Sequence, residues 1–335
     1  MTRAITCLLG AALATLTAVS TAQVPAPPAA AHTPPAADLK TLNYHLRPRA
    51  LAPGVWVIEG AVEDFSRRNG CNIINTGFIA TPAGTWIINT GPSFTYGQQQ
   101  RQAVQAVLAI ARAGSVQQVL NLNLHPDYFF GNQAWADTPT RALAGSIAGM
   151  QAEGAAYADN LYALCGDWMK DTASTPATTA IAPGHFSLGG HRLELLRYHG
   201  HTAADLVLLD HTAGVVFAGG LVFAERIPTT PHADVGAWLA SLDRLEQVLQ
   251  GFALKALVPS HGPVYPDLRG LHQTRDYLRW LDERLRTSAQ AGLDLAEVLA
   301  LPLPPRFAAW GAANTEYARN ATHLYPGHEL RALGR

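Results

Sequence analysis

Asn121-Leu122-Asn123-Leu124-His125-Pro126-Asp127-Tyr128-Phe129-Phe130-Gly131-Asn132 follows directly on the run Val116–Leu120. The run reads as a β-strand, and a strand that ends in alternating polar side chains turns every second one to the same side. Residues 123, 125 and 127 therefore converge on one point, bringing together an amide, an imidazole and a carboxylate. The chain thus carries a candidate site at the end of a strand.

Three later stretches each accompany a short hydrophobic strand: Gly200-His201-Thr202-Ala203-Ala204-Asp205, Val215-Val216-Phe217-Ala218-Gly219-Gly220 and Val258-Pro259-Ser260-His261-Gly262. In this order and spacing, the four stretches resemble the metal motifs of the metallo-β-lactamase superfamily, over roughly residues 41–270. The superfamily's first motif is His-x-His-x-Asp-His, followed by Gly-Asn. His125, Asp127 and the pair Gly131-Asn132 match it, while Asn123 stands where the first His is expected and Tyr128 where the last is. His201 matches the His of a Gly-His-Thr-x-x-Asp loop and His261 the terminal His. Gly220 takes the place of the Asp that bridges two metals.

The chain has 335 residues, 48% hydrophobic and 15% charged, ample for one large core. A net charge of −1 argues against nucleic acid as a partner. Residues 1–22 contain Arg3, an apolar stretch over 4–19 and then Ser20-Thr21-Ala22, the pattern of a secretory signal peptide cleaved after Ala22. The apolar run is short for a bilayer span, so no membrane span is expected after cleavage, and the expected location is the periplasm. Residues 23–40 are rich in Pro and Ala and read as a disordered, extended linker, which leaves 41–335 as one domain. That domain holds two cysteines, Cys71 and Cys165. In an oxidising compartment an even pair is a disulfide candidate, the alternative being two separate buried thiols. A bridge requires Cα atoms about 4.4–6.8 Å apart.

Strands are expected at 55–59, 72–80 and 85–88, β-branched and bounded by Gly and Pro, with helices at 96–112 and 146–170. The second half repeats the scheme, with strands near 193–197, 206–209, 215–218 and 257–258 and helices at 235–250 and 268–286. Two similar halves of alternating strands and helices fit an α/β fold, the four-layer αββα sandwich of metallo-β-lactamase type. Every motif falls at the carboxyl end of a strand, where ligands sit in such sheets.

Superfamily chemistry needs neutral imidazoles about 2.0–2.1 Å from zinc and an open position, where bound water is acidified and attacks as hydroxide. The resemblance implies one zinc ion held by some of His125, His201, Asp127 and His261, with Asn123 as a weaker amide donor. Two metals are not expected, because Tyr128 and Gly220 deplete the second position. Asp127 is the residue to orient or deprotonate the water. Tyr128 either donates a proton or packs with Phe129 and Phe130. A competing reading keeps the fold and loses the metal, leaving His125 and His201 hydrogen-bonded in a cleft. Asn89 departs from a usual Asp, and His199 and His232 read as solvated loop residues.

A narrower group is also similar: the quinoprotein-relay-system zinc metallohydrolases, exported proteins associated with pyrroloquinoline-quinone (PQQ)-dependent alcohol oxidation. The phrases that carry the likeness are Asn75-Thr76-Gly77-Phe78-Ile79, the stretch from His125 to Asn132, Cys165-Gly166-Asp167-Trp168-Met169, Ala218-Gly219-Gly220-Leu221-Val222-Phe223, Arg226-Ile227-Pro228 and Trp238-Leu239-Ala240-Ser241-Leu242. In that group Tyr128 and Gly220 are ordinary, and Asn123 is this chain's own departure. The resemblance implies a zinc hydrolase acting on an ester, thioester or lactam-type bond of a small-molecule substrate. The alternative is a non-catalytic, metal-poor binding protein partnered with a periplasmic quinoprotein dehydrogenase.

Overall fold

Seven strands form the first sheet, in the order β1 (Arg49–Ala52), β2 (Val55–Ile58), β3 (Thr76–Thr81), β4 (Gly84–Ile88), β5 (Val116–Leu120), β6 (Thr140–Ala142) and β7 (Thr179–Ala180). The first four are antiparallel neighbours and the last four parallel ones. The second sheet places β8 (Gly184–Leu188), β9 (His191–Tyr198), β10 (Asp205–Asp210), β11 (Val215–Phe217) and β12 (Ala256–Val258) side by side, antiparallel except for β11 and β12. This computed structural model describes residues 35–334, so the signal segment and most of the 23–40 linker lie outside the described residues. Near the start of the described chain, Asp38 and Asn43 close a turn through paired backbone bonds.

Both sheets are mixed and flanked by helices, the αββα arrangement expected from the sequence. Strand β10 is buried on both faces. Its Leu206 and Leu208 enter the layer between the sheets, while Val207 and Leu209 meet the outer helices. In the first sheet Ile79 and Ile88 face inward, and Phe78 and Ile87 turn toward Val104 of the first helix. Strands covered on both sides read as continuous apolar runs rather than alternating ones.

The helices are α1 (Phe94–Ala111), the single turn α2 (Pro126–Phe129), α3 (Ala144–Cys165), α4 (Val235–Leu249), α5 (Arg269–Gln290), α6 (Leu295–Ala300), α7 (Pro305–Ala308) and α8 (Ala313–Ala332). Ser93 caps α1 by accepting from Tyr96 N, and Asp234 caps α4 by accepting from Ala237 N. Among the described residues no helix is long and apolar enough to cross a membrane.

Two local differences from the sequence reading bear on the site. The strand expected from residue 72 starts at Thr76, because 72–75 form a loop in which Asn75 bridges the two halves of the fold. Its side chain accepts from Gly60 N and donates to Pro259 O at 3.0 Å and Gly262 O at 2.8 Å, on either side of His261. Beyond residue 286, a part of the domain where no helix or strand is expected from the sequence, lie the end of α5 and all of α6, α7 and α8. Cys71 and Cys165 are bridged, with Cα atoms 6.0 Å apart and a sequence separation of 94, tying the loop before β3 to the end of α3.

Candidate functional site

The loop after β5 is fixed by amides. Asn121 Nδ2 donates to Tyr128 O at 2.9 Å and Asn132 Oδ1 at 3.1 Å, Asn132 Nδ2 donates back to Asn121 Oδ1 at 2.9 Å, and Thr90 Oγ1 donates to Asn132 Oδ1 at 2.9 Å. Gly131 is required by close approach, since a Cβ there would lie 2.0 Å from Thr90 O. Asn89 performs the structural work at its position, accepting from Leu122 N at 3.0 Å. Every backbone group of a buried loop needs such a partner, and these side chains supply them.

Asn123 is wholly buried and engaged at both ends. Its Oδ1 accepts from His125 N at 3.0 Å and its Nδ2 donates to Asp205 Oδ1 at 2.6 Å. Asp205 also accepts from Thr202 N and Thr202 Oγ1, both at 2.9 Å, so Asn123 joins the β5 loop to the loop before β10. His201 packs beside this junction, its Nδ1 3.3 Å from Asn123 Nδ2 and 3.4 Å from Asp205 Oδ1. Its ring lies against Trp238 at 4.9 Å and edge-on to His125 at 4.8 Å. His201 Nε2 is buried without a hydrogen-bond partner. A Cβ on Gly220 would lie 2.0 Å from His201 Nδ1, so the imidazole fills the space that a side chain at 220 would need.

His125 and His261 are both neutral near pH 7. Burial, reinforced by His201, His232 and His261, holds the His125 imidazole well below its usual range. Burial also takes His261 down to about 4, against the opposing pull of Asp127. Neutral tautomers then satisfy the contacts in one direction. His261 Nε2–H donates to Asp127 Oδ2 at 2.8 Å, and its Nδ1 lies 2.9 Å from Ser260 Oγ, which also donates to Val222 O at 3.1 Å. His125 Nε2–H donates to His232 Nδ1 at 3.0 Å, and His232 Nε2–H to Glu153 Oε2 at 2.9 Å. Tyr157, one turn along α3 from Glu153, donates to the same carboxylate oxygen at 2.6 Å.

Over this floor lies a cavity of about 240 Å³. His125, Asp127 and His261 reach it from below, α3 supplies Tyr157, Leu161 and Leu164, and α8 supplies Glu316, Arg319 and His323. Asn123, His201 and Tyr128 are fully buried and do not line it. Burial, then the charge of Asp127, pushes the Tyr128 phenol well above its usual range. Helix α8 is held down by charge and amide contacts. Arg226, wholly buried, donates to Glu316 Oε1 at 3.1 Å, and Arg319 bonds Asp64 and Glu316, each at 3.0 Å. Asn320 donates to Pro228 O and accepts from Thr230 Oγ1, both at 2.8 Å, which fixes the loop that carries His232.

The structure therefore gathers the residues singled out in the sequence into one neighbourhood but divides them into pairs. Among the described residues no three His, Cys, Asp or Glu side chains form a group that could hold a metal ion. As they stand, these side chains do not fit the superfamily's metal centre. His232, Glu153 and the α8 residues escape the sequence reading as site residues. For Glu153 and Tyr157 the four-residue spacing on one helix is a usable signal, whereas a single loop His carries none.

The family model of the metallo-beta-lactamase superfamily matches residues 69–261, more than half of the chain, and the chain belongs to that superfamily, most of whose members are metal-dependent hydrolases that typically bind zinc. A metallo-beta-lactamase from Pontibacter korlensis is similar at 22% identity, with 70% of this chain and 99% of that one covered and a TM-score of 0.53. The DIM-1 metallo-beta-lactamase, solved after exposure to ceftazidime, is 15% identical over 70% of this chain and 97% of its own, with a TM-score of 0.54. The metallo-beta-lactamase IND-7 is 16% identical over 70% and 98%, also at 0.54. At these identities the likeness is one of fold. No curated protein matches the chain.

Proposed function

We propose that this protein is an exported binding protein on a hydrolase fold, which takes a small molecule into its cleft without a metal ion. The engagement of the side chains at the superfamily's metal positions carries the reading. Asn123 bonds to His125 N and Asp205, His125 to His232, and His261 to Asp127, while His201 fills the space beside Gly220. The signal-like residues 1–22 and the Cys71–Cys165 bridge support a periplasmic location, since disulfides persist in oxidising compartments. The sequence likeness to the quinoprotein relay group supports a role beside a PQQ-dependent dehydrogenase, with that dehydrogenase as partner.

A second reading is favoured by one observation, the buried and unpartnered His201 Nε2. It is a mononuclear zinc hydrolase of ester, thioester or lactam-type bonds, with His125 and His201 among the ligands and Asp127 and Tyr128 at the reacting group. Metal analysis of protein purified without chelator, followed by zinc titration of the wild type and Asn123→His, separates the two. The binding reading expects well below one metal per chain and no gain from the added imidazole, because Asn123's two bonds are lost in the exchange. One zinc per chain, with at least a tenfold gain in Asn123→His, or about 1.4 kcal/mol, overturns it in favour of the hydrolase.

A further inference from the structure

We infer that the cleft recognises a molecule of about eight non-hydrogen atoms, with an apolar body and one head group that donates hydrogen bonds, a primary amine or alcohol, and that Asp127 reads that head group. The inference rests on the metal-free reading above and adds to it the chemistry of the ligand.

Size sets the first limit. The cavity of about 240 Å³ is smaller than the roughly 300–1,000 Å³ of common ligand sites. It equals about eight water molecules at roughly 30 Å³ each. The body of the ligand is set by the walls, where Phe65, Ile73, Leu161, Leu164 and Pro231 present apolar surface.

The head group is set by what the floor leaves unsatisfied. Asp127 Oδ2 accepts from His261, but Asp127 Oδ1 has no hydrogen-bond partner among the described residues. His125 donates through Nε2 to His232, and its Nδ1 likewise has no partner among them. Both free atoms are acceptors, on residues that line the cavity. Neither atom is among the fully buried side-chain atoms that lack a partner, so water from the cavity reaches both, and a ligand that brings a donor takes that water's place. A carboxylate ligand brings the opposite: it meets Asp127 and, at the α8 side, Glu316. Arg319 is the guanidinium that reaches the cavity, and it is already bonded to Asp64 and Glu316. Like charges held this close disfavour one another.

Three probes of nearly equal shape isolate the head group: benzylamine, benzyl alcohol and benzoate. Titrated calorimetrically into the purified, oxidised protein, the amine and the alcohol are expected to bind, with benzoate at least tenfold weaker. Asp127→Asn should weaken the amine at least tenfold. Leu164→Trp, at a partly exposed wall position, keeps every acceptor and should abolish binding of all three, with an unchanged melting temperature showing that the fold survives. Benzoate binding as well as the others overturns the inference. So does binding of none of them, an Asp127→Asn variant that binds like the wild type, or a Leu164→Trp variant that still binds. A benzoate preference in metal-free protein removes this inference alone, whereas one zinc per chain in the same sample removes the binding reading beneath it.

Discussion

The floor of the cleft and its roof are built by different physics. The floor is made of strand ends whose loops are pinned by amides, with Asn121, Asn123, Asn132 and Asn75 each satisfying backbone or carboxylate partners across short distances. The roof is α8 and the loop carrying His232, joined through the wholly buried Arg226 and Glu316 and through Asn320. Neutral hydrogen bonds contribute modestly and separately. A buried ion pair holds only while both charges are present, because either alone bears the full penalty of desolvation. Substitutions should therefore wear the floor down by degrees and release the roof at once.

The largest effect should come from the roof. Arg226→Ala leaves buried Glu316 with the partly exposed Arg319 as its remaining cation and strips Glu63 O and Ile227 O of their donor, and is expected to cost about 3–5 kcal/mol in urea unfolding. The joint change Arg226→Met with Glu316→Leu should recover most of it. A loss below about 1 kcal/mol would mean that the roof is as forgiving as the floor. Next is the wall between them, since removing the bridge with Cys71→Ser should cost about 2–4 kcal/mol, read as the difference in unfolding free energy from the oxidised wild type.

On the floor, Gly220→Ala forces its new methyl against the His201 imidazole and should cost about 1–3 kcal/mol as an overpacked site. Unfolding data that show no loss would place the ring elsewhere. Smallest is the Arg319 latch at the rim. Burial raises the Asp64 carboxyl, but the hydrogen bond and charge of Arg319 outweigh it and hold the group below its usual range. A depressed carboxylate adds stability above its unfolded pKa and loses it as pH falls through the folded value. Arg319 is 43% exposed, so the effect should stay below about 1 kcal/mol at neutral pH. The stability difference between wild type and Asp64→Asn should then vanish in strongly acidic solution. A difference that persists there would show that Asp64 acts by packing.

The contrast between floor and roof also describes what was legible in the sequence. The floor is local: a strand, a polar alternation and Gly131-Asn132 lie within roughly seventeen residues, so spacing alone places His125 and Asp127 in the site. Gly220 reads as a lost bridging residue, and the structure adds that His201 occupies its space. The roof has no such signature. Ala313, Tyr317, Ala321 and Tyr325 are buried at four-residue intervals, but small side chains and Pro326 blur that stripe. Glu316 and Arg319 become site residues only when α8 folds back over partners 90 and 255 positions away. His232 gives no local sign of its role, because its partner, Glu153, is 79 positions earlier in the chain.

The bridge between Cys71 and Cys165 has a consequence for when the cleft comes into being. Leu161 and Leu164, which wall the cavity, lie in the last turn of α3, immediately before the bridged residue. While the thiols are reduced, that wall keeps only its non-covalent ties, among them the hydrogen bond from Trp168 Nε1 to Arg67 O at 2.8 Å. On the binding reading proposed above, reduced protein should hold its ligand more weakly than oxidised protein, as titration of both forms would show. The bond thus makes the shape of the cleft wall depend on the redox state of its surroundings.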